Sequence, residues 1–352
     1  MSQITQVEND IKYIDRYFTK IKIFKNKKIL ITGSNGFICY TLQNYLIFYQ
    51  DKLKFKKLFL TDIDSKPLSK GIDNKKIFYK KFDVVKDNLS KSFKENFDII
   101  IHAASIASPT FYRKFPLETA DANVIGLRKI LEYSKNNKLS RILYFSSSEV
   151  YGSPDKKNIP TKEHYYGNVS TLGPRACYDE AKRYCETLCY IFNKKYKTPI
   201  RIVRPFNNYG PGMKMNDSRL PADLANSIYN KKNITLYSKG NDTRTFCYIA
   251  DAVVGYLRAL SYKNFEIFNI GNNDIEVSVK DFAIKFAYYS YKINNFKPKI
   301  SFKKNKDKEY LIHNPNRRCP DINKAKKLIN FRPRINLNEG IKRYLRFIKE
   351  MN

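Results

Sequence analysis

The chain has 352 residues, 42% of them hydrophobic, with 27 Tyr and 24 Phe; that suggests about two domains and excludes a mostly disordered polypeptide. No apolar run reaches the roughly 18 residues needed to cross a bilayer, and no basic-then-apolar leader opens the sequence; six Cys without a CxxC pair argue against a disulfide framework or structural zinc and fit a reducing, cytoplasmic setting. The net charge of +33 admits a polyanion partner, yet basic residues occur in nearly every block of ten without a nucleic-acid-binding pattern, so nucleic acid is not expected, while an anionic small ligand is attracted.

Ile4, Val7, Ile11, Ile14, Phe18 and Ile21 repeat at three- and four-residue intervals, which predicts a helix with one apolar stripe. The stripe packs on its own domain or meets a partner, and the first is the simpler reading. From Lys28 the pattern changes. The runs KKILITG, KKLFLTD, KIFYKKFDV, FDIIIHAA and RILYFSS alternate with helical stretches, one through Leu46 and one through Leu131. A helix over about 176–196 and the run IRIVRP follow. Short apolar runs alternating with helices predict βαβ units and a doubly wound parallel sheet of the Rossmann type. After Asn208 the pattern loosens into short strands (ITLYS, RTFCYI, IFNIG) and helices starting near Ser278, Asp321 and Asn338. Ser278 and Asp281 have capping-box spacing. The expected layout is a helical extension over 1–27, a dinucleotide-binding domain over 28–206 that also receives about 245–270, and a smaller α+β substrate lobe mainly over 207–352.

The first strand runs through Gly33-Ser-Asn-Gly36 into a helix. Glycines there permit a tight turn and close approach of a pyrophosphate, which the helix N-terminus then attracts. Asp62, ending the second strand, is placed for an adenosine ribose, and an acid there favours NAD over NADP. Asp83, after the third strand, is a weaker candidate for the adenine pocket, and both acids are also plausible turn residues. Tyr178 and Lys182 stand one helical turn apart, so the ammonium is expected to lower the phenol pKa and let a tyrosinate take a proton from a sugar hydroxyl. With 27 Tyr in a Lys-rich chain about four such pairs arise by chance, and Tyr190/Lys194 and Tyr288/Lys292 also match. Chain order selects Tyr178: its helix follows the strand ending in Ser146-Ser147-Ser148-Glu149, so hydroxyl, phenol and ammonium converge where such sheets bind ligands. His102, His164 and His313 are isolated; His102 reads as a packed residue beside the cofactor, and no spacing suggests a metal.

The stretches GSNGFI, HAASIASPTFY, SSSEVYGSP, GPRACYDEAKRYCET, RPFNNYGPG, MNDSR, TRTFCYIAD, FNIG and RRCPDI resemble the extended short-chain dehydrogenase/reductases of the nucleotide-sugar branch, the NAD-dependent epimerase/dehydratase family, over about residues 28 to 340. GPRACYDE and MNDSR are most similar to the decarboxylase group of that branch. The resemblance implies a catalytic set of Ser147, Glu149, Tyr178 and Lys182, with Tyr178 as base and Lys182 also holding the nicotinamide ribose. It implies NAD contacts from Gly33, Asn35, Gly36, Phe37, Ile38, Asp62, Asp83, Ala103 and Ala104, besides Tyr178 and Lys182. It implies substrate contacts from Tyr112, in the loop after Ser108-Pro109, and from Ser148, Arg175, Asn207, Arg219, Arg244 and Arg318. Where the branch's 4,6-dehydratases carry Asp-Glu, this chain has Ser148-Glu149, so the acid that expels a C6 hydroxyl is absent. Arg175 is expected to pair with the C6 carboxylate of a uronic acid. The helices of Asn123 and Tyr178 are expected to form a homodimer interface.

The implied reaction is oxidation of a UDP-hexuronate at C4 with NAD as acceptor, loss of CO2 from the resulting β-keto acid, and reduction back, with no net redox change. Glu149 is expected to handle a proton at C5 or position the ring. A 4-epimerase or a 4,6-dehydratase of the same family is the alternative, and a basic binding protein on a degenerate scaffold is another. Three departures from the branch's pattern bear on these readings. Cys39 replaces the third glycine of the phosphate loop, Gly212 stands in place of an Arg, and Asp121-Ala122 in place of Lys-Thr.

Overall fold

The computed structural model describes residues 4–72, 75–305, 307, 309 and 312–351. The first helix, α1 (Gln6–Tyr17), starts at Thr5, whose side chain accepts from the Glu8 amide while the Glu8 carboxylate returns to the Thr5 amide. Ile11, Ile14 and Phe18 bury the expected stripe inside this chain, against α2 (Phe37–Phe48), α9 (Ile249–Ser261) and α12 (Leu337–Glu350). The helix ends at Tyr17, and Ile21 belongs to a separate 3-10 turn over Ile21–Phe24.

Seven parallel strands form the central sheet in the order β11-β6-β5-β4-β1-β2-β3. They are β1 (Lys28–Thr32), β2 (Lys57–Asp62), β3 (Ile77–Lys81), β4 (Ile99–His102), β5 (Arg141–Phe145), β6 (Ile200–Pro205) and β11 (Glu266–Ile270). Strands buried on both faces read as unbroken apolar runs, and Ile29, Leu30 and Ile31 of β1 and Ile99, Ile100 and Ile101 of β4 are wholly buried. Between them lie α2, the short α3 (Gln50–Leu53) and α4 (Leu89–Ser92), then α5 (Pro109–Lys114), α6 (Pro116–Lys135) and α7 (Ala176–Tyr196). The third strand is shorter than the run KIFYKKFDV, ending at Lys81. Chain order reverses between β1 and β4, the switch point at which such sheets open a crevice. Register aligns Thr32 with Thr61 and His102, so the loops after β1, β2, β4 and β5 share one edge.

The remainder folds across that edge. It comprises β7 (Asn208–Tyr209), α8 (Leu220–Tyr229), β8 (Ile234–Leu236), β9 (Thr243–Thr245), β10 (Cys247–Tyr248), β12 (Glu276–Ser278), α10 (Val279–Asn294), β13 (Ile300–Phe302), β14 (Arg317–Arg318) and α11 (Asn323–Ile329). The run RTFCYI is two strands because Phe246 breaks the pairing and Ile249 already opens α9. Ser278 caps α10 by accepting from the Asp281 amide at 2.9 Å. Among the described residues no helix is long and apolar enough to cross a membrane.

Candidate active site

The turn after β1 is built around a backbone that only glycine tolerates. Gly33 has φ +72°, and a Cβ there would lie 2.6 Å from Cα of Ala104, which follows β4. Gly36 caps α2 without a side chain, so the opening amides of the helix, at Phe37 and Ile38, are left for another acceptor. Asp62 stands at the end of β2, where its carboxylate accepts from the Asn35 amide at 2.8 Å; burial pushes its pKa up and that hydrogen bond pulls it back. The Asn35 side chain ties the turn to the segment after β2 through Lys66 O, Asp64 and the Leu68 amide. Ala103 donates to Thr32 O at 3.1 Å, and the Ser34 hydroxyl is buried without a partner. This cradle, with its orphan hydroxyl and free helix amides, fits a dinucleotide pyrophosphate. Asp83 lies in the turn after β3, accepting from the Val85 and Lys86 amides, and the amide of the preceding Phe82 donates to Asp62 O at 2.8 Å. Cys39 is buried in the helix–strand packing where the third glycine was expected.

Ser147, Tyr178 and Lys182 come together at the crevice. The Ser147 side chain accepts from the Glu149 amide at 3.2 Å and stands beside the Tyr178 phenol, whose pKa it lowers. Ser148 is buried at the start of the 3-10 turn Ser148–Tyr151. Lys182 Nζ donates to Phe145 O at 2.7 Å and lies 5.7 Å from the centre of the Tyr178 ring. One electrostatic expectation is reversed. Burial pushes the phenol up to about 12 against the help of Ser147, and burial pulls Lys182 down to about 8. In the protein alone, desolvation outweighs the ammonium, whose charge is spent on a backbone carbonyl. His102 is also buried, held by Thr32 Oγ1 at 2.7 Å from Nδ1, with its pKa pulled down to about 3 by burial and then by Lys182. It therefore stays neutral while an unfolded histidine protonates near 6.5, and its contribution to stability declines as pH falls below 6.5 toward 3. Imidazole NMR resonances of His102 are expected not to titrate between pH 5 and 9; a midpoint inside that range would contradict the burial.

The cations form a different arrangement from the one expected. Arg175 already has partners within the protein. Its guanidinium pairs with Glu149 and, at 3.4 Å, with Asp179, while Arg318 grips Glu149 through both terminal nitrogens at 2.5 and 2.7 Å. Burial raises the Glu149 pKa, but Arg318 and Arg175 outweigh it and hold the carboxyl ionised. Asp179 is pushed the other way, by burial and then by Glu149, and its Oδ1 has no partner. Arg244 stands at the edge of the same cluster but spends its donors on the carbonyls of Thr243, Pro315 and Asn316. Arg175 and Arg318 thus face Glu149 and Asp179, the second hard to ionise, which leaves a local excess of positive charge, while Arg244 has its own carboxylate in Asp242 at 3.9 Å. Asn207 is likewise committed, at φ +40°, to Thr245 O at 2.9 Å. Arg219 pairs with Asp217 and reaches over the Phe37 ring at 5.7 Å.

Tyr112 belongs to α5, not to a loop, because Pro109 opens a helical turn there. Its ring stacks on Tyr178 at 5.2 Å and 13°, with Arg175 on its other neighbour side at 5.7 Å, and its hydroxyl is buried without a partner. Asp179, Asp217 and Glu186 were not singled out in the sequence. Asp179 and Glu186 lie on the helix of Tyr178, one and eight residues beyond it, but only burial marks them as more than surface acids. Gly212 has φ +89° and Tyr40 fills the space a side chain would take, 2.5 Å from a built Cβ, so no Arg fits there. Asp121 is exposed on α6.

A doubly wound sheet with a glycine turn after β1, an acid after β2 and a Ser/Tyr/Lys set at the switch point defines the class of dinucleotide-dependent enzymes. The chain belongs to the NAD dependent epimerase/dehydratase family, whose model matches residues 29–271, and NAD is its cofactor. It is 31% identical to UDP-glucuronic acid decarboxylase 1 of Xenopus tropicalis, an alignment covering 99% of this chain and 80% of that protein. It is 33% identical to UDP-glucuronic acid decarboxylase 6 of Arabidopsis thaliana, covering 90% and 87%. Among solved structures it is similar to a UDP-glucuronic acid 4-epimerase from Bacillus cereus in complex with UDP-glucuronic acid and NAD, with TM-score 0.73, 27% identity and coverage of 92% and 100%.

Proposed function

We propose that this enzyme decarboxylates a UDP-hexuronate, of the UDP-glucuronate to UDP-xylose type. The observation that carries the reading is the local excess of positive charge where Arg175 and Arg318 share the ionised Glu149 while Asp179 is hard to ionise, beside Ser147 and Tyr178. Such an excess suits a substrate that brings its own carboxylate. The buried, partnerless Tyr112 hydroxyl, stacked on Tyr178, is a further donor for an anionic sugar. The decarboxylase relatives, matched over most of both chains, support the same substrate class.

Gly33, Asn35, Gly36, Phe37, Ile38, Asp62, Ala103 and Ala104 form the part of the crevice suited to hold NAD, with Lys182 at its inner end. NAD supplies the acceptor for the hydrogen removed from C4 and returns it at the end of the cycle. Tyr178 takes the C4 hydroxyl proton, with Ser147 bridging phenol and sugar. Burial holds the phenol at about 12 in the protein alone, and a cation bound beside it in the crevice would favour the phenolate. Once C4 is a ketone, the C5–C6 bond breaks with its electron pair delocalised into that carbonyl, and after CO2 has left the resulting enolate takes a proton at C5 from water before C4 is reduced again. Arg175 and Arg318 orient the carboxylate until it leaves as CO2. Glu149, ionised between them, cannot donate a proton in this state and acts by positioning the two guanidiniums. Arg219 faces the diphosphate side, with Asp217 as its partner in the absence of substrate. The helices α6 and α7 pair the chain into a homodimer; Leu117, Ile125, Tyr184 and Ile191 leave an apolar surface on them exposed by 40–76%. Sedimentation is expected to give twice the chain mass, and a monomer at micromolar concentration would reject the dimer.

Incubation with UDP-glucuronate and NAD is expected to release CO2 and form a UDP-pentose without net NADH. An isomer of unchanged mass would instead identify a 4-epimerase, the second reading, which the Bacillus cereus neighbour favours. Loss of water would identify a dehydratase, and intact substrate would reject all three. A degenerate binding protein is disfavoured because Ser147, Tyr178 and Lys182 are all present and converge.

A further inference from the structure

Tyr178, Lys182 and Glu186 follow one another at four-residue intervals and so line one face of α7. Each meets a different station at the end of β5. Tyr178 stands beside Ser147, Lys182 holds the carbonyl of Phe145, and Glu186 accepts from the Ser146 hydroxyl at 2.5 Å. Two consecutive residues, Phe145 and Ser146, are thus fastened in chain order to two rungs of one helix, with Ser147 next to the remaining one. The third rung is anchored from behind. Arg204 of β6 binds both oxygens of Glu186, with Nε at 2.8 Å from Oε1, and also donates to Glu163 O. The pair is nearly dry, with side-chain exposures of 8% and 11%.

We propose that Glu186 is a positioning residue for this reaction: through the Ser146 hydroxyl it fixes the backbone that presents Ser147 to Tyr178, and through its charge it serves Lys182. The inference rests on the Tyr178-centred chemistry above. Around the Lys182 ammonium lie Tyr178, Cys185, Cys189 and Glu186 from α7, Tyr144 from β5 and His102 from β4. Burial pushes both thiols up, so they stay neutral, and His102 is neutral as well. Glu186 is then the negative charge among these neighbours. Removing it lets Lys182 lose its proton at lower pH.

Two variants separate the two parts. Ser146→Ala removes the rung and keeps the charge. It is expected to lower kcat about 10- to 100-fold with KM for the sugar nucleotide within about twofold, since a small misplacement of a reacting group costs that much. Glu186→Gln keeps an acceptor for Ser146 and removes the charge. It is expected to move the alkaline limb of NAD binding, measured by calorimetry across pH, to lower pH, whereas Ser146→Ala leaves that limb where the wild type has it. Calorimetry needs no turnover, so it stands even if UDP-glucuronate proves not to be the substrate. Wild-type kcat in Ser146→Ala, or an unmoved limb in a folded Glu186→Gln, overturns the proposal.

Discussion

Replacing Tyr178 by Phe is expected to lower kcat for UDP-glucuronate by about two to four orders of magnitude, the usual worth of a positioned proton-transfer group. The substitution removes one oxygen and keeps the ring. The stack on Tyr112 at 5.2 Å survives, as does the buried position on α7. Thermal stability and NAD binding should therefore stay close to wild type, and the loss should appear in kcat with little change in KM. A Tyr178→Phe enzyme that keeps more than a tenth of wild-type kcat would remove the phenol from the chemistry. The same experiment across pH carries a second check. Activity that rises with pH should show its limb well below 12 in the loaded enzyme, because the free protein's phenol is held at about 12 by burial.

Replacing Glu149 by Ala is expected to cost about 3–5 kcal/mol of stability, because it leaves two buried guanidiniums without their carboxylate. Arg175 and Arg318 are 8% and 11% exposed at their side chains and both end on Glu149. Asp179 remains as the sole acid near Arg175, and with Glu149 gone its carboxyl should ionise more readily, so part of the loss is recovered above neutral pH. Glu149→Gln keeps the shape and one acceptor and should destabilise less while still weakening the grip on both cations. Chemical denaturation of the two variants measures this. Stabilities within about 1 kcal/mol of wild type for Glu149→Ala would mean that solvent, not Glu149, satisfies the arginines.

The sheet was legible because its strands are buried on both faces and so declare themselves as unbroken apolar runs between helices. Tyr178 was legible through chain order, not through its spacing from Lys182, which Tyr190 and Tyr288 share with other lysines. The electrostatics were not legible. Arg175 finds Glu149 across 26 residues and Arg318 finds it across 169, and no local pattern states such a meeting. Arg244, expected as a substrate contact, bonds the neighbouring Thr243 carbonyl and those of the distant Pro315 and Asn316, and has Asp242 at 3.9 Å, which no local pattern states either. The shift of Tyr178 had the wrong sign in the sequence reading because burial, which a linear pattern does not contain, exceeds the effect of a nearby ammonium. Tyr112 was assigned to a loop because its helix has six residues, too few for periodicity to speak.

The seating of α1 has a consequence for the order in which this protein can be made. Its amide at Gln6 ends on Glu350, its buried Asp10 on Tyr248 and Arg343, and its Tyr13 on Asp251, contacts that span 238 to 344 positions. These partners of the helix thus lie at positions 248 to 350, far along the chain from it, whereas α2 is close behind. Until those segments are made, the stripe of Ile11, Ile14 and Phe18 has the cover that α2 gives it without that of α9 and α12, and the nascent chain carries a half-covered apolar ridge.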